Sequence, residues 1–290
     1  MINGVINIYK ETGYTSHDVV ARLRGILHQK KIGHTGTLDP DAVGVLPVCL
    51  GKATRLAEKI ASGGKEYEAV LLLGKTTDTQ DISGTVIREA CVSCSESDIR
   101  GILPAFLGEQ LQVPPMYSAK HVDGKRLYEL ARKGMTVERK PAKIRIDRLE
   151  IKECSLPRVT LRISCSKGTY IRTLCQDIGE RLGCGGCMEH LIRTRAGMFR
   201  VEEAITLSEA ENLAQEGKLA QRIRPIDSFF EKLPAYITTE KGEAQARNGN
   251  GIAPVLLRPA GCFCSGIENK ELLHADSPDT AKNEIFPEAS

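Results

Sequence analysis

The residues of this 290-residue chain best suited to chemistry are concentrated between Lys31 and Arg55, in KIGHTGTLDPDAVGVLPVCLGKATR. Asp39 stands there between Leu38 and Pro40. A carboxylate in that place has three uses: it can close a turn, hold a metal or attack a substrate. Gly33, Gly36 and Gly44 permit tight turns, and an aspartate before proline is biased toward extended backbone. Asp41 follows two residues on, but the ladder of alternating oxygen ligands that a calcium loop needs is missing. His34 could be a loop histidine, a donor to phosphate or a stacking surface. Residue type and spacing leave these alternatives open.

Two further groups accompany it. Tyr67 opens KEYEAVLLLG, where an aromatic normally anchors a core. Tyr170 and Arg172 lie two apart in SKGTYIRTLC, and Arg172 has Ile171 and Leu174 as neighbours. An arginine near a buried face requires a carboxylate partner, because an unpaired buried charge costs several kcal/mol. Asp39 is an available candidate. Cys91-x-x-Cys94 and Cys184-x-x-Cys187, with His190 nearby, could form a four-ligand zinc site. Gly183, Gly185 and Gly186 crowd the second pair, so the expectation is no metal and no cofactor. No P-loop pattern occurs, and no GxGxxG follows a strand.

These side chains must be positioned by strands and helices in irregular alternation. Strands are expected at Gly4 to Lys10, Tyr67 to Gly74, around Thr85 to Arg88, and over AKIRIDRLEIKEC and PRVTLRISCS. Helices are expected from about His17 to Leu27 with Thr15 or Ser16 as cap, after Ser95, from Lys125 to Gly134, over TYIRTLCQDIGERLGC, and over TLSEAENLAQEG. No regular βαβ rhythm emerges. The fold class is α+β, a mixed, mostly antiparallel sheet flanked by helices. After RPIDSFF the chain turns glycine-punctuated, which predicts a small β-rich unit from about residue 233.

Composition narrows the partners. Hydrophobic residues make up 41% of the chain, enough for a large core. The net charge of +3 conceals a division: Pro114 to Arg172 holds fifteen Lys/Arg against six Asp/Glu, whereas Val201 to Ser290 holds nine against fifteen. A polyanion-facing surface would therefore come from the middle of the chain. The start MINGVINIYKETG is too soon broken by charge to be a secretory segment, and no window approaches a membrane span. The ten cysteines then read as mostly free thiols of a reduced, cytoplasmic protein.

Five ordered stretches resemble one family. GVINIYKETGYTSHDVV, KIGHTGTLDPDAVGVLPVCLGKATR, KEYEAVLLLGKTTDTQDISG, PPMYSAKHVDGKRLYELARKG and CSKGTYIRTLCQDIGERLGCGG together resemble the bacterial tRNA pseudouridine synthase B family. The resemblance implies a pseudouridine synthase fold over residues 1–232, with a basic RNA-gripping lobe at about 114–143. Residues 233–290 would be a short PUA-like RNA-binding domain and tail. It implies isomerisation of uridine 55 in the T-loop by base flipping, without cofactor, metal, membrane or obligate protein partner, by a monomer bound to the T-arm stem-loop. Carried over by position, Asp39 is the nucleophile. Tyr67 stacks on the uracil and takes part in proton transfer, and Arg172 pairs with the aspartate. His34, Tyr170, Leu191 and Lys10 would contact or support the substrate. Lys120, Lys125, Arg126, Arg132 and Lys133 would grip the RNA backbone, together with Arg139, Lys140 and Lys143. Glu11 replaces the proline that follows the family's early lysine, which would loosen that turn. The rival readings are an RNA-binding protein without turnover and a synthase acting on another RNA.

Overall fold

The computed structural model describes residues 1–118, 120–122, 124–131, 133–231, 235–248, 250–253, 256–259, 273–275 and 285–286. The chain forms two compact units, Met1–Ile2 with Ile6–Ile223 and Asn3–Val5 with Arg224–Ser290.

The larger unit is built on β1 (Gly4–Lys10), α1 (Ser16–Leu27), β2 (Ile32–His34), β3 (Val43–Leu50), α2 (Ala57–Ala61), β4 (Lys65–Leu73), β5 (Lys75–Thr77) and β6 (Val86–Glu89). It continues through α3 (Glu96–Ile102), β7 (Gly108–Gln112), β8 (His121–Val122), β9 (Lys125–Arg126), α4 (Leu127–Ala131), β10 (Ala142–Ser155) and β11 (Arg158–Cys165). It ends with α5 (Ile171–Arg181), β12 (Gly186–Ala196), β13 (Phe199–Arg200) and α6 (Leu207–Gln215). The main sheet runs β1-β3-β12-β4-β11-β10-β7. From β12 to β7 every pairing is antiparallel, and β12 pairs with β3 in parallel. The mixed sheet expected from the irregular alternation is the one observed.

Local chemistry sets the helix starts. Thr15, Ser95 and Thr206 each open a helix with a reciprocal capping box, closed by Asp18, Asp98 and Glu209 respectively. Two apolar clusters hold the sheet. One packs α1 and α6 on β1 and β3 through Val19, Leu23, Ile8, Leu46 and Ala210. The other packs α3 and α5 on β4, β10 and β11 through Ile99, Leu174, Ile178, Leu71 and Leu161. Burial of this kind contributes about 25 cal/mol per Å² of apolar surface.

Two expectations differ from the structure. The helix expected over Lys125 to Gly134 is only Leu127–Ala131, because the two residues before it pair as a strand with His121–Val122. Strand β12 had no clear signature: His190, Arg193 and Arg195 interrupt its apolar run, yet it lies at the centre of the sheet.

In the smaller unit the described strands run Leu257–Pro259, Ala235–Thr238, Leu273–Ala275, Ile285–Phe286, in that order and antiparallel. Helix Glu240–Arg247 is capped by Thr239. The β-rich character expected there is present.

Candidate active site

Asp39 is delivered by a turn pinned on both sides. Its carbonyl accepts from the Ala42 amide at 3.1 Å, closing a four-residue turn with Pro40 in the second position, which suits its fixed φ. On one side the Ser16 hydroxyl accepts from the Leu38 amide at 2.9 Å and donates to the Leu38 carbonyl at 3.2 Å. On the other, the Pro40 carbonyl accepts from Lys10 Nζ at 2.9 Å and from the Gly13 amide at 3.1 Å. Lys10 is fully buried, and its ammonium also donates to the Glu11 carbonyl at 3.0 Å. Any residue at position 11 supplies that carbonyl, so the turn closes without the proline. Burial pushes the Lys10 ammonium down to about 8 against the opposing charges of Asp41 and Asp39.

Beneath the turn lies Arg193 of β12, completely buried. It donates from Nε to the Val45 carbonyl at 2.7 Å, from Nη1 to Thr37 at 3.3 Å and from Nη2 to Gly36 at 3.2 Å. Charge-assisted hydrogen bonds to three carbonyls fix the approach to Asp39. The same stretch requires Gly44, whose φ is +103° and whose replacement by any Cβ would collide with the Arg193 carbonyl oxygen.

Arg172, the second residue of α5, reaches Asp39 by two bonds: Nε to Oδ2 at 3.0 Å and Nη2 to Oδ1 at 3.2 Å. The partner that burial demands of Arg172 is therefore Asp39. The remaining hydrogen-bonding capacity of Arg172 is taken up as well. Nη1 donates to the Thr79 carbonyl at 3.0 Å and lies 3.5 Å from Asp81 Oδ2, while Nη2 also donates to the Tyr117 carbonyl at 2.7 Å. Arg172 is 6% exposed, Asp81 17% and Asp39 39%. One guanidinium thus serves two carboxylates, both of which line the cavity, Asp39 the more openly. The Asp39 carboxyl lies above its ordinary range: burial raises it most, Arg172 offsets that only in part, and Asp81 raises it further.

Asp81 was not legible as a site residue. It belongs to the loop between β5 and β6, where its Oδ1 accepts from Thr79 Oγ at 2.7 Å, Ser83 Oγ at 2.6 Å and the Ser83 amide at 3.1 Å. The loop is fastened to β12 by Ile82 N to Met188 O at 2.9 Å and Met188 N to Gln80 O at 3.0 Å. The helix start of α5 lacks a side-chain cap of its own, and Gln112 at the end of β7 clamps Tyr170 instead. Its Oε1 accepts from the Tyr170 amide at 2.8 Å and its Nε2 donates to the Tyr170 carbonyl at 3.0 Å.

A cavity of about 730 Å³ opens at this point, walled among others by His34, Asp39, Asp81, Ser118, Arg172 and Leu191. His34 meets His17 edge-on, with ring centroids 6.1 Å apart at 76°. Burial, then His17 and Arg193, push the His34 imidazole below its ordinary range, so it is neutral at pH 7. Tyr67, Tyr170 and Lys10 lie outside the cavity wall. Tyr67 is buried, within electrostatic reach of Arg193 and Asp39, and burial raises its phenol.

Lys120 and Lys133 are exposed in the 114–143 segment. Arg132 lies outside the described residues, as do the side chains of Lys125 and Arg126. The arginines further along are largely neutralised. Arg145 pairs with Asp147, Arg148 with Glu150, Arg158 with Glu189, and Lys152 and Arg162 with Glu68. Of the basic excess read from Pro114 to Arg172, residues 114–143 hold eight Lys/Arg against three Asp/Glu and residues 144–172 seven against three. Among the described residues no three His, Cys, Asp or Glu side chains converge as a metal site. Of the two Cys-x-x-Cys pairs, Cys94 lies within electrostatic reach of Cys184, whereas Cys187 is buried in β12 and Cys91 is exposed.

Comparison with known proteins gives the family. Residues 24–171 match the TruB family pseudouridylate synthase N-terminal domain, and residues 172–231 match the tRNA pseudouridylate synthase B C-terminal domain. A tRNA pseudouridine synthase B of Alkaliphilus oremlandii is 45% identical over 251 residues, covering 87% of this chain and 83% of the relative. One of Lachnoclostridium phytofermentans is 47% identical over 259 residues, covering 87% and 84%. Among solved structures, a chain of a Cbf5-Nop10-Gar1 complex is 29% identical with a TM-score of 0.70, covering 98% of this chain and 82% of that one. The chain belongs to the TruB family of pseudouridylate synthases.

Proposed function

We propose that this protein is a tRNA pseudouridine synthase that isomerises uridine 55 of the T-loop, with Asp39 as the reacting carboxylate. The relatives at 45% and 47% identity, each named tRNA pseudouridine synthase B, support the reaction and the substrate class. The observation that carries the role of Asp39 is its two-point bond to a buried Arg172 at the mouth of a nucleotide-sized cavity.

The reaction breaks the C1′–N1 bond of one uridine and joins C1′ to C5 of the same base, so atoms balance and no electrons are exchanged. It needs an ionised carboxylate beside the sugar and a walled site that retains the detached base. Arg172 supplies the first need by offsetting the desolvation of Asp39 and fixing its direction. Access requires the uridine to leave its stack, at a cost of a few kcal/mol. The neutral His34 ring suits the space vacated by the base, Leu191 lines the pocket, and Tyr67 and Tyr170 would support the base from behind the wall. Lys10 holds the Asp39 turn. Lys120, Lys125, Arg126, Arg132 and Lys133 would grip the phosphates of the stem, reading shape more than sequence. The smaller unit is assigned as a PUA-like RNA-binding domain.

The test is Asp39→Asn on an unmodified T-arm stem-loop, with a stem-loop lacking the target uridine as control. The expected outcome is no pseudouridine by chromatography able to separate the two isomers, with RNA affinity retained. Appreciable turnover by the variant would remove Asp39 from the chemistry.

A further inference from the structure

Ser118 is 5% exposed, borders the cavity, and its hydroxyl has no hydrogen-bond partner among the described residues. Buried hydroxyls are almost always bonded, because leaving one unpaired costs roughly 1–3 kcal/mol. The exception at Ser118 occurs where the backbone is tightly held. Its amide donates to the Met116 carbonyl at 3.0 Å, and its carbonyl accepts from the Tyr128 amide at 3.1 Å. The preceding carbonyl, of Tyr117, accepts from Arg172 Nη2 at 2.7 Å, and that same nitrogen bonds Asp39 Oδ1 at 3.2 Å. Ser118 therefore follows directly on a group one guanidinium nitrogen away from the reacting carboxylate. Among the described residues, an unpaired hydroxyl thus stands at the wall of the cavity that Asp39 also lines.

We propose that Ser118 is a substrate-binding residue whose hydroxyl bonds the ribose 2′-hydroxyl of the everted nucleotide. This rests on the synthase reading above. Two features favour the sugar over the base. The bond broken and the bond formed both end at C1′, and the 2′-hydroxyl is the hydrogen-bonding group next to C1′ on the ribose. A serine hydroxyl both donates and accepts, as does a 2′-hydroxyl, so the pair is satisfied whichever way the proton points. The 2′-hydroxyl is also the group by which a protein distinguishes RNA from DNA at a single position. Ser118 would thus contribute to selecting a ribonucleotide at the reacting site.

The experiment is a cycle of two proteins and two RNAs: wild type and Ser118→Ala, each bound to a T-arm stem-loop carrying either uridine or 2′-deoxyuridine at the target position. For the uridine RNA the variant should bind about tenfold more weakly, the worth of one neutral hydrogen bond. For the deoxy RNA, wild type and variant should bind alike. Thermal unfolding of free Ser118→Ala should be no lower than wild type, since the change removes an unpaired buried hydroxyl; Ser118→Cys, keeping a weak donor, should bind uridine RNA with intermediate strength. Equal losses on both RNAs would overturn the proposal in favour of a contact to the base. An unchanged affinity for uridine RNA, or a lowered unfolding temperature, would overturn it in favour of a structural role. Failure of the synthase reading is separately visible: wild type would then form no pseudouridine in the uridine RNA.

Discussion

Replacing Arg172 by methionine tests the electrostatic core of the site. The guanidinium touches Asp39 at 3.0 and 3.2 Å. Two unit charges with centres about 4 Å apart attract by ~4 kcal/mol at an effective dielectric constant of ~20. Because 39% of the Asp39 side chain is open to the cavity, screening reduces this to roughly 2 kcal/mol. Loss of the two-point, charge-assisted geometry adds about 1.5 kcal/mol. Together these correspond to a fall in single-turnover rate of roughly 10²–10³-fold. The pH dependence has a definite sign. Arg172 lowers the Asp39 carboxyl, so its removal raises it, and the acid limb of the rate profile moves to higher pH. Arg172→Lys keeps the charge and loses the fork, so it should slow the reaction while moving the limb much less. The assay is pseudouridine formation at saturating protein across pH 5 to 9, with RNA affinity and thermal unfolding as controls. A methionine variant that is slowed, folded and unmoved in its acid limb would refute the claim that Arg172 keeps Asp39 ionised.

Two further outcomes follow from the same contacts. Asp81→Asn should shift the acid limb to lower pH, opposite to Arg172→Met, because the Asp81 charge raises the Asp39 carboxyl; the pH profile of the variant checks the sign. Neutralising Lys125, Arg126 and Lys133 together should weaken RNA binding and flatten its dependence on salt by about one unit of slope per lost phosphate contact; an unchanged slope takes them out of the interface.

Arg172 was legible because an arginine between apolar neighbours calls for a carboxylate, whereas residue type left Asp39 open between turn and site and the family resemblance singled it out. Their pairing across 133 residues fits the requirement that a buried cation find a partner. Asp81, Arg193 and Ser118 break no local rule. Asp81 and Ser118 read as ordinary loop residues, Arg193 lies in a stretch without a clear signature, and only the tertiary fold brings them to Asp39. Capped helices such as Ser16–Leu27 were readable from short-range hydrogen bonds. Strand β12 was not, since its buried arginine is satisfied by carbonyls 148 to 157 residues away in sequence. The helix expected from Lys125 was shortened for a related reason: pairing with His121–Val122 claims its first two residues.

The paired arginines of β10 and β11 carry a consequence for turnover. Each already has a carboxylate from the protein, so that broad strand surface offers little to a passing duplex. On the proposed reading, in which the 114–143 segment grips the stem, a strand surface whose charges are already paired adds little to non-specific binding, so an arm that lacks the target is released readily.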